Sequence, residues 1–330
     1  MTPQFTAGEA GQIAQRDFGL VARAQALPSE RDQNFLLATA AGERYVLKFA
    51  KSDEARAVLE FQNAVLEWVA ARAPQLAVPR LKPMRSGATL GEVRDGAGRA
   101  HYVRLIGWLE GDMYASVRPH DGTLLESLGA VLGDLDRALA GFAHPAMHRE
   151  LHWDLRHADQ ALRHAPLLTA HQQAVVGQFM ASWHELDWTA LRHGVIHGDA
   201  NDHNVLVRDG RVVGLIDFGD IVHSALACEL AIGLAYAMQR QPRPLEAAAR
   251  VVRGYHERLA LSAVEIDALY PLLTARLCMS LCYAAHNARA KSDDPYQQVS
   301  AAPAWELMRE LATVSPAAAC AALHAACGRS

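Results

Sequence analysis

The feature that most constrains the fold is the stretch 194–219, where short strand-like pieces interrupt a series of helical segments. The pieces are GVIHGD, NVLVRDG and RVVGLIDFG, each an apolar run that ends in turn residues. Such runs are typical of buried strands. Around them, apolar residues recur at helical spacing over 122–140, 166–188, 224–239, 245–260, 263–290 and 303–325. The pattern predicts a mostly helical body that holds one small β-rich insert.

The first hundred residues have a different pattern. The runs FGLVARAQAL, NFLLATA and AGERYVLKFA read as strands, with two more near 88–94 and 100–107. Helical spacing predicts a helix over 53–72 with Ser52 or Asp53 as its N-cap, and a short helix over 6–17. We expect an α+β fold, with a small N-terminal β-sheet lobe over residues 1–107. A larger, mostly helical C-terminal lobe covers residues 108–330.

Composition and charge exclude several classes of protein. The chain has 330 residues, 32 Lys and Arg against 36 Asp and Glu, and a net charge of −4. A nucleic-acid-binding domain normally has the opposite balance, so we expect no nucleic-acid partner. No apolar run approaches the length of a membrane span, and the N-terminus does not read as a secretory signal. Five cysteines, an odd number, fit reduced thiols in a cytoplasmic protein.

The β-rich insert carries three polar residues in a spacing that suits phosphoryl transfer. Asp199 lies in HGDANDHNVLV, Asn204 follows five residues later, and Asp217 lies in GLIDFGD. Amide and carboxylate oxygens at Asn204 and Asp217 suit Mg²⁺, a hard cation. A carboxylate outside the metal site, Asp199, can orient an acceptor hydroxyl and take its proton. These are the parts of a kinase active site, and they predict a protein-kinase-like, bilobal arrangement.

A kinase needs a phosphate-binding lysine, and the small lobe offers Lys48 on a predicted strand. We expect Lys48 to pair with Glu60 on the following helix, with Glu67 as the alternative. No glycine-rich phosphate loop precedes Lys48. The segment LPSERDQNFLL stands in its place, and Ser29 and Asn34 are candidates to shape a turn near the nucleotide.

These residues resemble the aminoglycoside phosphotransferase/choline kinase-like superfamily of small-molecule kinases, over about residues 27–311. Within it, the strings PSERDQNF, YVLKF, EFQN, YVRLIGWLEG, HRELHWDL and HGDANDHNVL are most similar to hydroxylysine kinases. The resemblance implies that Asp199 is the catalytic base and that Asn204 and Asp217 hold Mg²⁺. It implies that Lys48 and Glu60 bind the phosphates of ATP or GTP.

The same resemblance implies further positions around the nucleotide and the acceptor. The segment from Trp108 through Leu109 to Glu110 falls where the hinge meets the base of the nucleotide. Candidate acceptor-binding residues are Asp220, Glu229, Trp153, Asp154 and Arg276. Their carboxylates favour a cationic amine, and Arg276 or Arg156 suits an acceptor carboxylate.

The acceptor is therefore predicted to be a small amino alcohol or hydroxy amino acid. A hydroxylysine-like molecule fits best, and homoserine, choline, ethanolamine or an aminoglycoside are alternatives. A protein kinase is disfavoured, because Gly198 replaces the Arg of His-Arg-Asp and no activation segment fits after Asp217. Two other hypotheses are a nucleotide-binding pseudokinase and a hydrolytic metal site built from His193, His197, Asp199, Asp202 and His203.

Overall fold

The computed structural model of the chain describes residues 3–29, 32–289 and 295–328, with side chains from 295 to 300 left aside. The chain divides into two compact units. The first runs up to Glu110 and includes His144–Ala146; the second comprises Gly111–Ala143 and the chain from Met147 onward. The predicted assignment of nucleotide binding to residues 1–107 and of acceptor binding to residues 108–330 stays a prediction, since compactness alone does not test it.

Over residues 3–29 and 32–110, the first unit forms two helices and a six-stranded antiparallel sheet. The strand order is β1-β2-β3-β6-β4, and β5 also pairs with β6. The elements are α1 (Ala7–Phe18), β1 (Ala22–Leu27), β2 (Gln33–Thr39), β3 (Arg44–Phe49), α2 (Arg56–Arg72), β4 (Leu81–Lys82), β5 (Gly91–Arg94) and β6 (Ala100–Gly107). This confirms the predicted sheet-rich N-terminal part.

Local sequence explains where the helices of the first unit begin. At α1, the Thr6 side chain accepts a hydrogen bond from Glu9, whose carboxylate bonds back to Thr6, which forms a capping box. At α2, the predicted cap at Ser52 or Asp53 is wrong. The helix begins at Arg56, and Ala55 occupies the N-cap without a side-chain hydrogen bond.

One face of the sheet buries the core of the first unit. Alternate strand residues, including Phe35, Leu47 and Phe49, are buried together with Ile13 and Phe18 of α1. The alternation of side chains along a strand therefore leaves Lys48 on the opposite face from Leu47 and Phe49. There Lys48 pairs in register with Asn34 on β2 and Arg104 on β6.

The second unit is mostly helical and carries the β-rich insert. Its elements are β7 (Asp112–Met113), α3 (Gly122–Leu139), α4 (Ala170–His184), β8 (His193–Ile196), β9 (Val205–Arg208), β10 (Arg211–Leu215), β11 (Val222–Ala225), α5 (Leu226–Ala237), α6 (Pro244–Arg258), α7 (Ala263–Arg289), α8 (Pro295–Leu311) and α9 (Pro316–Ala326). The helix predicted over 303–325 is two helices, because Ser315 caps a new helix that starts at Pro316.

The insert forms two small antiparallel sheets. Strands β9 and β10 make a hairpin that β7 extends, while β8 pairs with β11. The ladder joins Val222 of β11 to Ile196 of β8. Consequently the loop that follows β8 and the loop that precedes β11 leave the sheet at the same end. These loops carry the HGD and DFG motifs.

Helix α7 lies at the core of the second unit. By length and composition it is apolar enough to cross a membrane, but 72% of its apolar window is buried inside the protein. Such burial is typical of a core helix. Helices α3 and α6 pack closely, since a Cβ on Gly129 would lie 1.9 Å from the backbone oxygen of Val251.

Candidate active site

The loop after β8, residues 197–204, is held in a tight conformation; we call it the HGD loop. Gly198 has a φ of 77°, in the left-handed region that favours glycine. A Cβ at this position would lie 2.7 Å from the backbone oxygen of Asp220. The His197 ring bonds through Nε2 to the carbonyl oxygen of Ile216 at 2.9 Å. These contacts fix the backbone immediately before the predicted base.

The carboxylate of Asp199 accepts hydrogen bonds from three side chains. Arg276 Nη2 lies 2.7 Å from Oδ1. The amide nitrogens of Asn201 and Asn204 each lie 2.9 Å from Oδ2. Three donors on two oxygens define the plane of the carboxylate.

Asp199 has an unusual environment for a carboxyl group. Its side chain is 21% exposed and lies against Arg276, which is 3% exposed. Burial and, to a smaller extent, the nearby charge of Asp220 raise the pKa of Asp199 to about 6, although the charge of Arg276 opposes this rise. A pKa displaced in this way is common at functional sites.

Asn204 and Asp217 lie at the same end of the β9–β10 hairpin. The Ile216 amide donates to the Asn204 carbonyl oxygen at 2.9 Å, and Asp217 is the next residue. The Asn204 side-chain nitrogen donates to the backbone oxygen and to Oδ2 of Asp199, both at 2.9 Å, so its amide oxygen makes neither of these contacts. Asp217 is exposed and has a φ of 58°, a strained conformation that recurs at active sites.

Glu229 supports the HGD loop from inside the protein. It is fully buried, and its Oε2 accepts a hydrogen bond from the Gly198 amide at 2.9 Å. Burial raises the pKa of Glu229, while the charge of His197 opposes the rise. The structure thus gives Glu229 a role in holding the loop, and its predicted contact with the acceptor stays a prediction.

Asp154 has a similar supporting role. It is buried, caps the turn that begins at Leu155, and pairs with Arg156 at 2.6 Å. The Ser224 hydroxyl donates to its second oxygen at 2.8 Å. These contacts give Asp154 a structural role. The acceptor-binding roles predicted for Asp154 and Arg156 stay predictions.

Aromatic rings surround Arg276. Its guanidinium carbon lies 4.4 Å from the ring centre of Trp153 and 5.7 Å from that of Tyr236. The Trp153 ring meets the ring of Tyr283 edge-on at 4.7 Å. Trp153 therefore contacts Arg276, which in turn bonds to Asp199. The predicted contact of Trp153 and Arg276 with the acceptor stays a prediction. Asp220 lies in the turn after Asp217 and is nine-tenths buried.

The candidate nucleotide-binding residues belong to the first unit. The Asn34 side chain, cross-strand from Lys48, has a buried oxygen without a hydrogen-bond partner among the described residues. Ser29 is exposed, next to residues 30–31, which lie outside the described part.

Glu60 forms an ion pair with Arg56 at 2.7 Å on the exposed side of α2. Gln62 and Asn63 of α2 are buried and accept hydrogen bonds from Arg104 of β6. The pairing of Glu60 with the phosphate-binding lysine therefore stays a prediction.

The segment after β6 is anchored to β3. The Trp108 amide donates to the Arg44 carbonyl oxygen at 3.1 Å, and the Arg44 guanidinium lies 5.3 Å from the Trp108 ring centre. Leu109 is half-buried and Glu110 pairs with Arg44. Their predicted contact with the nucleotide base stays a prediction.

Sequence reasoning missed two residues that touch this site. Asn201 bonds to Asp199 and also accepts from the His203 and Asn204 amides. An Asn two residues after a functional Asp is a recognisable turn signal. No signal in the sequence singles out Tyr236. It belongs to the site because its hydroxyl lies 3.4 Å from Arg276 in the folded chain.

One alternative from the sequence is not supported by the described residues. Across 3–29, 32–289 and 295–328, no group of three or more His, Cys, Asp or Glu side chains is placed to hold a metal ion. The cluster suggested for a hydrolytic metal site is thus not gathered into a ligand set.

The fold and this site define a class of protein. Residues 23–262 match the model of the phosphotransferase enzyme family, APH. The chain belongs to that family, and its predicted fold class is confirmed. It is a small-molecule kinase that transfers a phosphoryl group to a hydroxyl, with a nucleotide as co-substrate.

One curated protein and two solved structures are examples of what the chain is similar to. Hydroxylysine kinase from Mus musculus is 30% identical over 94% of this chain and 90% of its own length. A microcompartment-associated aminopropanol kinase has the same fold, with a TM-score of 0.72, 19% identity and coverage of 93% of this chain and 97% of that one. An amicoumacin kinase solved with AMP-PNP and Ca²⁺ has a TM-score of 0.71, 15% identity and coverage of 93% and 94%.

Proposed function

We propose that the protein transfers the γ-phosphoryl group of ATP or GTP to the hydroxyl of a small amino alcohol or hydroxy amino acid. A hydroxylysine-like molecule is the first candidate. The observation that carries the proposal is the set of side chains that donate hydrogen bonds to Asp199, together with the 30% identity to a hydroxylysine kinase over nearly the whole chain. Homoserine, choline, ethanolamine and aminoglycosides are the alternative acceptors.

In this proposal Asp199 is the general base. The acceptor oxygen forms a bond to the γ-phosphorus while the bond from that phosphorus to the β–γ bridging oxygen breaks. The hydroxyl proton passes to Asp199, and the nucleoside diphosphate leaves with the bridging oxygen. Since Arg276, Asn201 and Asn204 already orient the carboxylate, little reorganisation is needed when the acceptor binds.

The residues present fit a magnesium ion. Asn204 Oδ1 and the exposed carboxylate of Asp217 are hard oxygen donors at one end of a hairpin. Two protein ligands suit Mg²⁺, which usually completes its coordination with phosphate oxygens and water. When bound, the ion neutralises the charge that develops on the phosphates.

Nucleotide binding is proposed for the first unit. Lys48 supplies the positive charge for the α- and β-phosphates, with Glu60 as its predicted partner. Asn34 offers a buried amide oxygen on the same sheet face. Ser29 precedes the loop that replaces a glycine-rich turn, and Trp108 and Leu109 are proposed to meet the nucleotide base.

Acceptor recognition is proposed to depend on negative charge near Asp199. Asp220 is close enough that its charge raises the pKa of Asp199, and it is our candidate for the acceptor ammonium. Trp153 is half-buried beside Arg276 and offers an aromatic wall. We place the reaction in the cytoplasm, where the five free thiols would stay reduced.

A turnover screen tests the proposal. The purified chain is incubated with ATP or GTP and Mg²⁺ and with hydroxylysine, homoserine, choline, ethanolamine or kanamycin, and phosphorylated products are detected by mass spectrometry. We expect phosphohydroxylysine to form fastest. Phosphorylation of choline or kanamycin alone would refute the acceptor assignment.

Nucleotide binding serves as the control in the same screen. A ligand that binds only the native state raises Tm by mass action, so ATP or GTP with Mg²⁺ should raise Tm in every active sample. A rise in Tm without turnover of any acceptor would favour the pseudokinase alternative.

A further inference from the structure

Arg276 is built into the core of the second unit. It lies in α7, its side chain is 3% exposed, and Nη2 donates to Asp199 Oδ1 at 2.7 Å. Trp153 lies against its guanidinium, 4.4 Å away, and the Tyr236 hydroxyl is 3.4 Å from Nη2. An arginine packed on an aromatic face has a defined orientation, because stacking and hydrogen bonding restrict the same planar group.

The hydrogen bond from Arg276 to Asp199 restricts the direction in which the carboxylate can point. Oδ2 of the carboxylate is occupied by two amides of its own loop. Oδ1 receives its donor from another part of the chain, 77 residues away. Rotation of the carboxylate would break either the two amide contacts or the arginine contact. The remaining lone pair of Oδ1 therefore points in one fixed direction.

We infer that Arg276 is a positioning residue for the transfer: it sets the direction in which Asp199 accepts the proton of the acceptor hydroxyl. The inference rests on the proposed role of Asp199 as base. It is an alternative to the expectation that Arg276 binds the carboxylate of the acceptor. The guanidinium is 3% exposed, lies against Trp153, and directs Nη2 at the proposed base.

Substitutions of Arg276 separate the two roles. We expect Arg276→Met to lower kcat about 100-fold, since a displaced catalytic group loses roughly that factor, while KM for the acceptor stays within about threefold. Arg276→Lys should recover at least about tenfold of that loss, because it restores a donor. A KM that rises with kcat unchanged would overturn the inference and restore the acceptor-binding role.

Chemical rescue guards against a merely structural effect. Arg276→Ala leaves space in which methylguanidinium can bind, and we expect millimolar methylguanidinium to raise its kcat at least about fivefold. Arg192→Met is the matched control: Arg192 also pairs with an α7 carboxylate, Glu265, at 2.6 Å and makes no contact with Asp199. It should keep kcat within about threefold and show no rescue. Equal losses of kcat in both variants without rescue would overturn the inference.

The outcomes distinguish this inference from the proposed function. If the wild type phosphorylates no acceptor in the panel, the acceptor assignment fails. The Arg276 variants are then compared by acceptor-independent hydrolysis of the nucleotide, in which water replaces the acceptor hydroxyl. Loss of hydrolysis in Arg276→Met with rescue of Arg276→Ala would support the inference, and unchanged hydrolysis would overturn it.

Discussion

Replacement of Gly198 by alanine should damage stability and turnover together. Two costs add at this position. A non-glycine residue in the left-handed region loses about 1–2 kcal/mol, and Gly198 has a φ of 77°. In addition, the new Cβ would lie 2.7 Å from the Asp220 oxygen, so the loop must move by at least about 0.7 Å to reach ordinary van der Waals contact.

The matched control is Gly141→Ala. Gly141 has the same φ of 77°, and a Cβ there meets nothing within 4 Å. It therefore carries the conformational cost alone, about 1–2 kcal/mol. We expect Gly198→Ala to lose at least about 1 kcal/mol more than Gly141→Ala, as overpacked sites do.

The assay combines urea unfolding with steady-state kinetics. A shift of about 0.7 Å at the predicted base should lower kcat by roughly 25-fold, since a 1 Å misplacement loses roughly 100-fold. Gly141→Ala should keep the wild-type kcat. Equal free energies of unfolding for the two variants, with wild-type kcat in Gly198→Ala, would refute the reasoning.

Three further changes have defined outcomes. Glu229→Ala removes the buried acceptor of the Gly198 amide and should lower the free energy of unfolding by about 1–3 kcal/mol, whereas Glu229→Gln, which keeps an acceptor oxygen, should lose less in the same urea titration. Burial opposes ionisation of Asp95, but hydrogen bonds from Arg99 and other donors outweigh it and lower the pKa of Asp95 to about 2. Since the pKa of Asp95 is lower in the folded state than in the unfolded state, its ionised carboxylate stabilises the fold fully above about pH 4, and this stabilisation is lost as pH falls towards 2. Tm of Asp95→Asn should therefore fall less steeply over this range than Tm of the wild type. Parallel plots of Tm against pH for the two proteins would contradict the assignment. Asp217→Ala should abolish the Mg²⁺-dependent part of nucleotide binding in calorimetry, and unchanged binding would show that Asp217 is not a ligand.

Spacing in the sequence was enough to group the residues of the HGD loop. Asp199 and Asn204 are five residues apart, and their side chains do bond to each other. A turn of this length leaves few conformations, so local sequence predicts local contact. The DFG motif lies near the HGD loop because the hairpin pairs Leu215, just before the motif, with Val205, just after the loop.

Burial and long-range contacts were not predictable in the same way. Glu229 and Asp154 read as acidic candidates for the acceptor, and the sequence did not predict that both side chains are buried. A charge in the sequence does not reveal whether its side chain faces a ligand or a backbone amide. The contact of Arg276 with Asp199 joins two segments that only the packing of α7 brings together.

Helix ends show the same limit on a smaller scale. The position of α2 was predicted, but its first residue is Arg56, because Ala55 rather than Ser52 or Asp53 occupies the cap. Apolar spacing locates a helix, but it does not determine which residue is the first.

The most direct test of the account is the kinetics of Asp199→Asn. The amide has the size of the carboxylate but cannot accept the proton of the acceptor hydroxyl. We predict that kcat falls by about 100-fold to 10,000-fold, the usual contribution of a general base, while the Kd for nucleotide with Mg²⁺ stays within about threefold of wild type. A variant that turns over at a rate near that of the wild type would contradict the central claim that Asp199 is the base.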